Sequence, residues 1–110
     1  MAWLVCDQRV LASLEQPAGH GGRARGLLGR DGITGAMLLA PCRSVHTIGM
    51  RFAIDVAQCD HTLRVVRVVT LRPNRVCRPV RGATVVVEAA AGQFARWGVA
   101  AGDQLEVRSG

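Results

Sequence analysis

Phe52-Ala53-Ile54-Asp55-Val56-Ala57-Gln58-Cys59-Asp60-His61-Thr62-Leu63-Arg64-Val65-Val66-Arg67-Val68-Val69-Thr70-Leu71 reads as two strands with a turn between them. In residues 52–59, Phe52, Ile54 and Val56 share one face, and Ala53, Asp55, Ala57 and Cys59 share the other. That two-residue period belongs to a strand. Residues 62–71 form the most β-branched run of the chain, which favours a pleated, half-buried surface. Asp60-His61 is turn-prone, so an antiparallel hairpin is expected.

The same reading extends outward. Residues 3–5 and 9–14 are short strands joined by Asp7-Gln8. Residues 36–40 are continuously apolar and stop at Pro41, as a buried strand does. Residues 83–89 are Val-rich, and residues 104–107 alternate after the Gly102-Asp103 turn. A short helix is predicted over 23–28 with Gly29 as its C-cap, and a helical turn over 92–98 carrying Phe94 and Trp97. Pro73 and Pro79 make the stretch between them a loop or an edge. No repeat or linker interrupts the chain, so residues 1–110 are expected to form a single domain. The expected fold class is α+β, mostly β, with a small barrel-like antiparallel or mixed sheet and one or two short helices.

Composition agrees with a globular chain: of 110 residues, 49% are hydrophobic and 20% charged. No apolar run approaches the roughly 18–20 residues of a membrane span. Residues 1–7 lack a basic leader region and end their apolar run at Asp7, which is unlike a signal peptide. The expectations are therefore a cytoplasmic location and free thiols at Cys6, Cys42, Cys59 and Cys77. Net charge is +6, and all 14 basic residues are Arg. The forked guanidinium suits carboxylate or phosphate partners better than an ammonium does.

Three chemistries compete for the polar residues. The leading one is a cleft that binds a small polar or anionic ligand. It would be lined by His46, Thr47, Arg51 and Asp55, with Arg23, Arg30 and Glu88 nearby. Asp55 and Glu88 sit among apolar neighbours, where an ionised carboxylate needs a partner. The second is a thiol-dependent enzyme. Cys42 beside His46 would form a neutral-pH nucleophile, with Asp55 orienting the imidazole. The third is a nucleic-acid-binding module. Arg72, Arg75, Arg78 and Arg81 recur every third residue, the period of polyproline-like backbone, and could form one phosphate-tracking face. The stretch from Arg64 to Arg81 holds six Arg and no acid. Cys42, His46, Cys59 and His61 have zinc-ligand chemistry, but their spacings match no standard zinc site, so no metal is expected. The sequence leaves the cofactor unknown.

The order of several short motifs resembles the domain-of-unknown-function-192 family. These are Arg23-x-x-Gly26-Leu27-Leu28-x-Arg30, Gly35-Ala36-Met37-Leu38-Leu39, the segment from His46 through Thr47-Ile48-Gly49-Met50-Arg51-Phe52-Ala53-Ile54 to Asp55, Val87-Glu88-x-x-x-Gly92, and Gly102-Asp103. Within the family pattern, His46 stands at a Trp position, Thr47 at a Met and Met50 at a Thr. Ala53 replaces a proline, and Asp55 keeps the acid. The chain thus resembles a His-Thr-x-Gly-Met-Arg-Phe variant with an upstream Cys. The resemblance implies a compact β-rich fold and brings no settled activity with it.

Overall fold

The alternating segments become seven strands in a computed structural model, which describes residues 1–17 and 30–110. They are β1 (Ala2–Cys6), β2 (Arg9–Glu15), β3 (Ala36–Leu39), β4 (Ile54–Cys59), β5 (Val65–Leu71), β6 (Val85–Ala90) and β7 (Leu105–Ser109). One short helix, α1 (Gln93–Trp97), lies between β6 and β7. The helix predicted over 23–28, and Arg23 with it, lies outside the described residues.

Turn chemistry accounts for the two local hairpins. Asp7 and Gln8 adopt φ of 50° and 65°, the paired positive values of a two-residue turn that matches strand twist. The β4–β5 turn is longer than the Asp60-His61 pair. Asp60 Oδ1 accepts the Thr62 N–H (2.9 Å), the Thr62 hydroxyl (2.7 Å) and the Arg64 N–H (3.0 Å). Leu63 takes φ 72° inside that loop.

The sheet order is β5-β4-β6-β3-β2-β1-β7. Neighbours pair antiparallel except β2 and β3, where Leu14 faces Ala36 in parallel register. β6 inserts between β3 and β4, which are adjacent in sequence. The sheet curls until its two edge strands meet at one end. There Arg64 bridges Gln104, the Val65 N–H reaches Asp103 O (2.8 Å), and the Leu105 N–H reaches Leu63 O (3.0 Å). The rest of the β5 and β7 edges do not pair, so the barrel stays open.

Alternation divides the core in two. Leu4, Leu38, Ala57, Cys59, Val87, Phe94 and Leu105 fill the concave side. Met37, Leu39, Ile54, Val56, Leu71 and Val86 form the outer side, covered by Val45, Met50 and Cys77 from long loops. Helix α1 drives Phe94 into the concave cluster, where Trp97 packs edge-on against it with centroids 5.5 Å apart. Burying a side chain of that size stabilises by roughly 1.5–3 kcal/mol. No helix among the described residues is long and apolar enough to cross a membrane.

Candidate functional site

The two faces of β4 determine what its polar residues can do. Asp55 points with Ala57 and Cys59 to the concave side. It is 3% exposed, and its carboxylate is fully engaged. Oδ2 accepts the N–H groups of Gly92 (3.0 Å) and Phe94 (3.2 Å), and Oδ1 accepts the Thr70 hydroxyl (2.7 Å). Gly92 is the N-cap of α1, with φ 88° and no side chain to offer. Asp55 therefore satisfies orphan helix donors from a different element, the task an N-cap Asp normally performs locally.

His46 lies on the other side of the sheet. It belongs to the loop whose inward residues, Val45 and Met50, cover the outer cluster. Its own side chain is exposed. His46 and Asp55 therefore do not share a hollow, because β4 itself separates them. Thr47 is fully buried, and its hydroxyl donates to Arg72 O (2.6 Å) while accepting the Arg75 N–H (2.9 Å). Glu88 is fully buried on the outer face. Arg51 is exposed, with Nε 3.2 Å from Asp31 Oδ1 and 3.4 Å from Arg30 O. Arg30 is exposed on the neighbouring segment. The expected cleft lining is thus divided among helix cap, loop staple, core and surface.

The thiol and the imidazole differ in exposure. Cys42 is 4% exposed within the outer cluster, and its Sγ–H donates to Ser44 O (3.3 Å). His46 faces solvent, with Nδ1 accepting the Ile48 N–H (3.2 Å). Among the described residues, no group of three or more His, Cys, Asp or Glu side chains could hold a metal.

All four thiols are buried. Burial pushes the Cys59 thiol up to about 12, with nearby Asp60 adding to it. Burial also raises Cys6, helped by Asp7 and Asp103. It raises Cys77 as well, where Arg67 opposes the shift and Glu88 supports it. A folded thiol pKa above the unfolded value means the native state holds its proton longer. Stability from these groups is complete below the ordinary thiol value of 9.0 and declines as pH rises toward about 12. The expected result is an unfolding free energy that falls above pH 9, by up to about 1.4 kcal/mol per pH unit from Cys59 alone. Urea titrations at several alkaline pH values measure this slope. Cys59→Ala should flatten it, and an unchanged slope would refute the assignment.

What the tertiary structure does gather is a cationic strap, residues 72–84. It leaves β5 after Leu71, which pairs with Ile54, and re-enters at Thr84, whose N–H reaches Cys59 O (2.9 Å). It therefore crosses the outer face along the whole of β4, a distance of about 17 Å at ~3.3 Å per residue. Arg72, Arg75, Arg78 and Arg81 are all exposed, while Cys77 and Ala83 turn inward. Among the described residues, none of the four arginines makes an ion pair. The backbone is not continuous polyproline, because Asn74 has φ 63°.

The strap is fastened at several points. Besides the Thr47 bonds, Asn74 Oδ1 accepts the Gly49 N–H (3.0 Å). The buried Gln58 amide donates from β4 to Arg78 O (2.7 Å). His46 and Val76 face each other as an isolated antiparallel bridge. It is flanked by Thr47 N–H to Arg75 O and Cys77 N–H to Val45 O, both 2.8 Å. That pattern makes His46 and Val76 a non-hydrogen-bonded pair with close side chains. Val76 is 61% exposed and Ile48 is 55% exposed beside it.

Sequence reasoning located the four arginines and missed Gln58, Asn74, Ile48 and Val76. Gln58 had a legible signal, an amide inside a buried alternation. The exposure of Ile48 and Val76 had none, since apolar loop residues ordinarily turn inward.

The sequence matches the family model of DUF192, described as "Uncharacterized ACR", over residues 6–107. No curated protein matches it. The fold is similar to two crystal structures. One is a protein of unknown function from Novosphingobium aromaticivorans, with TM-score 0.75, 19% identity, and coverage of 96% of this chain and 82% of that one. The other, from Sinorhizobium meliloti, is described as a candidate transcription regulator. It has TM-score 0.76, 20% identity, and coverage of 96% of this chain and 91% of that one. At these identities the likeness shows the fold alone.

Proposed function

The chain belongs to the domain-of-unknown-function-192 family, a family of unknown function, and we propose from the geometry of this member that it is a non-enzymatic domain binding an extended polyanion along the 72–81 strap. One observation carries the reading. Four exposed arginines without ion pairs among the described residues lie along a strap that spans the outer face. Exposed guanidinium groups avoid the desolvation cost of burial and keep their forks available for phosphate or carboxylate oxygens. Four exposed guanidinium groups spaced along the strap match a chain of repeated charges.

The reading keeps the anionic partner expected from the sequence and moves the contact from a cleft to a surface. Asp55, Thr47 and Glu88 are buried, so a ligand does not reach them without unfolding local structure. The thiol-enzyme reading loses ground on similar terms, since a buried Cys42 is the inert kind of cysteine.

Retention on a heparin column tests the proposal. The double variant Arg75→Glu/Arg78→Glu should elute at clearly lower salt than the unmodified protein. Arg96→Glu/Arg108→Glu makes the same change in net charge at exposed positions off the strap, and should elute later than the strap variant. Equal shifts for both variants would reduce the effect to net charge and remove the site.

A further inference from the structure

The geometry points to duplex DNA as the polyanion, with the His46–Val76 pair entering the major groove while the flanking arginines hold phosphates on either side. This rests on the polyanion reading above and deepens it by naming the partner.

A pair between two loops stands at the middle of the strap. Val76 lies midway between Arg72 and Arg81 in sequence and pairs with His46 across the two loops. Alternation sends Val45, Thr47 and Cys77 inward, and His46, Ile48, Val76 and Arg78 outward. The result is an isolated two-strand bridge with an apolar and imidazole crest, preceded in the strap by Arg72 and Arg75 and followed by Arg78 and Arg81. A two-stranded ribbon is one of the shapes the major groove admits, that groove being about 12 Å wide. The exposed arginines before and after this pair supply the positive charge that phosphates bordering the groove would meet.

The imidazole has one ring nitrogen already engaged. Nδ1 of His46 accepts the Ile48 N–H. The neutral ring therefore carries its hydrogen on Nε2, which is left to donate outward. The major-groove edges of purines offer acceptors at guanine O6 and N7 and at adenine N7, and thymine offers a methyl group. Ile48 and Val76, both largely exposed, are apolar partners for that methyl.

A single strand fits this surface less well. Binding of single strands relies on aromatic platforms that stack bases. The four aromatic residues are Trp3, Phe52, Phe94 and Trp97, and none belongs to loops 43–49 or 72–81. Phe94 is in the core and Trp97 packs on it. Duplex RNA fits no better, because its major groove is too deep and narrow for side chains to read.

Fluorescence anisotropy decides the matter, using labelled DNA duplex, RNA duplex and single-stranded DNA of about 20 nucleotides per strand, with inorganic polyphosphate as competitor. Tightest binding is expected on the DNA duplex. Four phosphate contacts give a slope of log K against log salt near −3.6, or roughly a hundredfold loss between about 50 and 200 mM salt. Arg75→Glu/Arg78→Glu should weaken binding to every polyanion. His46→Ala should weaken the DNA duplex by about fivefold while leaving the salt slope and the polyphosphate competition unchanged. Protection of guanine N7 from dimethyl sulfate reports the groove directly. Equal affinity for all polyanions, with N7 unprotected, would overturn the duplex inference and leave the polyanion reading standing. Absence of binding to any of them at low salt would sink both. Circular dichroism of each variant, matching that of the unmodified protein, confirms that these exposed substitutions left the fold intact.

Discussion

Asp55→Ala is expected to lower the midpoint of thermal unfolding by at least about 10 °C, the equivalent of roughly 3 kcal/mol for a domain near this size. The carboxylate is buried and accepts two helix N–H groups and one hydroxyl. Alanine would leave all three donors without this acceptor, the Phe94 N–H in a buried setting where water does not replace it. Hydrogen bonds to a charged group contribute about 1.5–3 kcal/mol each, and unpaired buried donors add their desolvation cost. The loss is larger than for an ordinary cap because Gly92 supplies no side chain of its own. Release of α1 would also draw Phe94 out of the concave core. Differential scanning calorimetry measures the shift. At a temperature where the variant remains folded, its affinity for polyanions should equal that of the unmodified protein. A variant with unchanged stability and lost binding would return Asp55 to the binding site and contradict the role given to it here.

Gly35→Ala should destabilise by about 2–5 kcal/mol, and its cause lies in the backbone. Gly35 has φ +73°, a conformation that costs an L side chain roughly 1–2 kcal/mol. A Cβ there would also stand 2.6 Å from Ser13 Oγ and 2.7 Å from Ser13 O. The hydroxyl can rotate away, but the carbonyl cannot without disturbing β2. The contact matters because Gly35 leads directly into the parallel pairing of Leu14 with Ala36. Two experiments separate the parts of the effect. Ser13→Ala in the Gly35→Ala background should recover little stability, because the backbone oxygen remains. Full recovery would assign the clash to the hydroxyl, and an unaffected Gly35→Ala protein would contradict the close approach altogether.

Much of the secondary structure was legible because its causes are local. The 52–71 hairpin follows from alternation and from an Asx-type turn at Asp60, and the strand faces were assigned correctly down to Ile54 and Val56 on one side and Asp55 on the other. The helical turn between Gly92 and Gly98 follows from the two glycines, both of which adopt left-handed φ at its ends. The candidate site was legible only in part. The four arginines could be counted and their exposure expected, since a guanidinium is rarely buried without a partner. Their placement over β4 could not be, since it depends on where Thr47, Gln58 and Asn74 fasten the strap. Asp55 looked like a site residue for a sound reason, namely that a carboxylate in an apolar strand must have partners. Those partners are Gly92 and Phe94, 37 and 39 positions away.

Period-two patterning settles the orientation of a side chain relative to its immediate neighbours, because successive Cβ atoms alternate across a pleat whatever lies beyond. It therefore fixed the strands and their inward apolar sets from residue order alone. It carries no information about which strands become neighbours, because register and crossover are chosen by the burial of faces from distant segments. Inserting β6 between β3 and β4 placed the helix on the concave side and the two long loops on the outer side. That single long-range choice separated His46 from Asp55 and brought His46 beside Val76, turning a suspected cleft into an arginine-lined ridge.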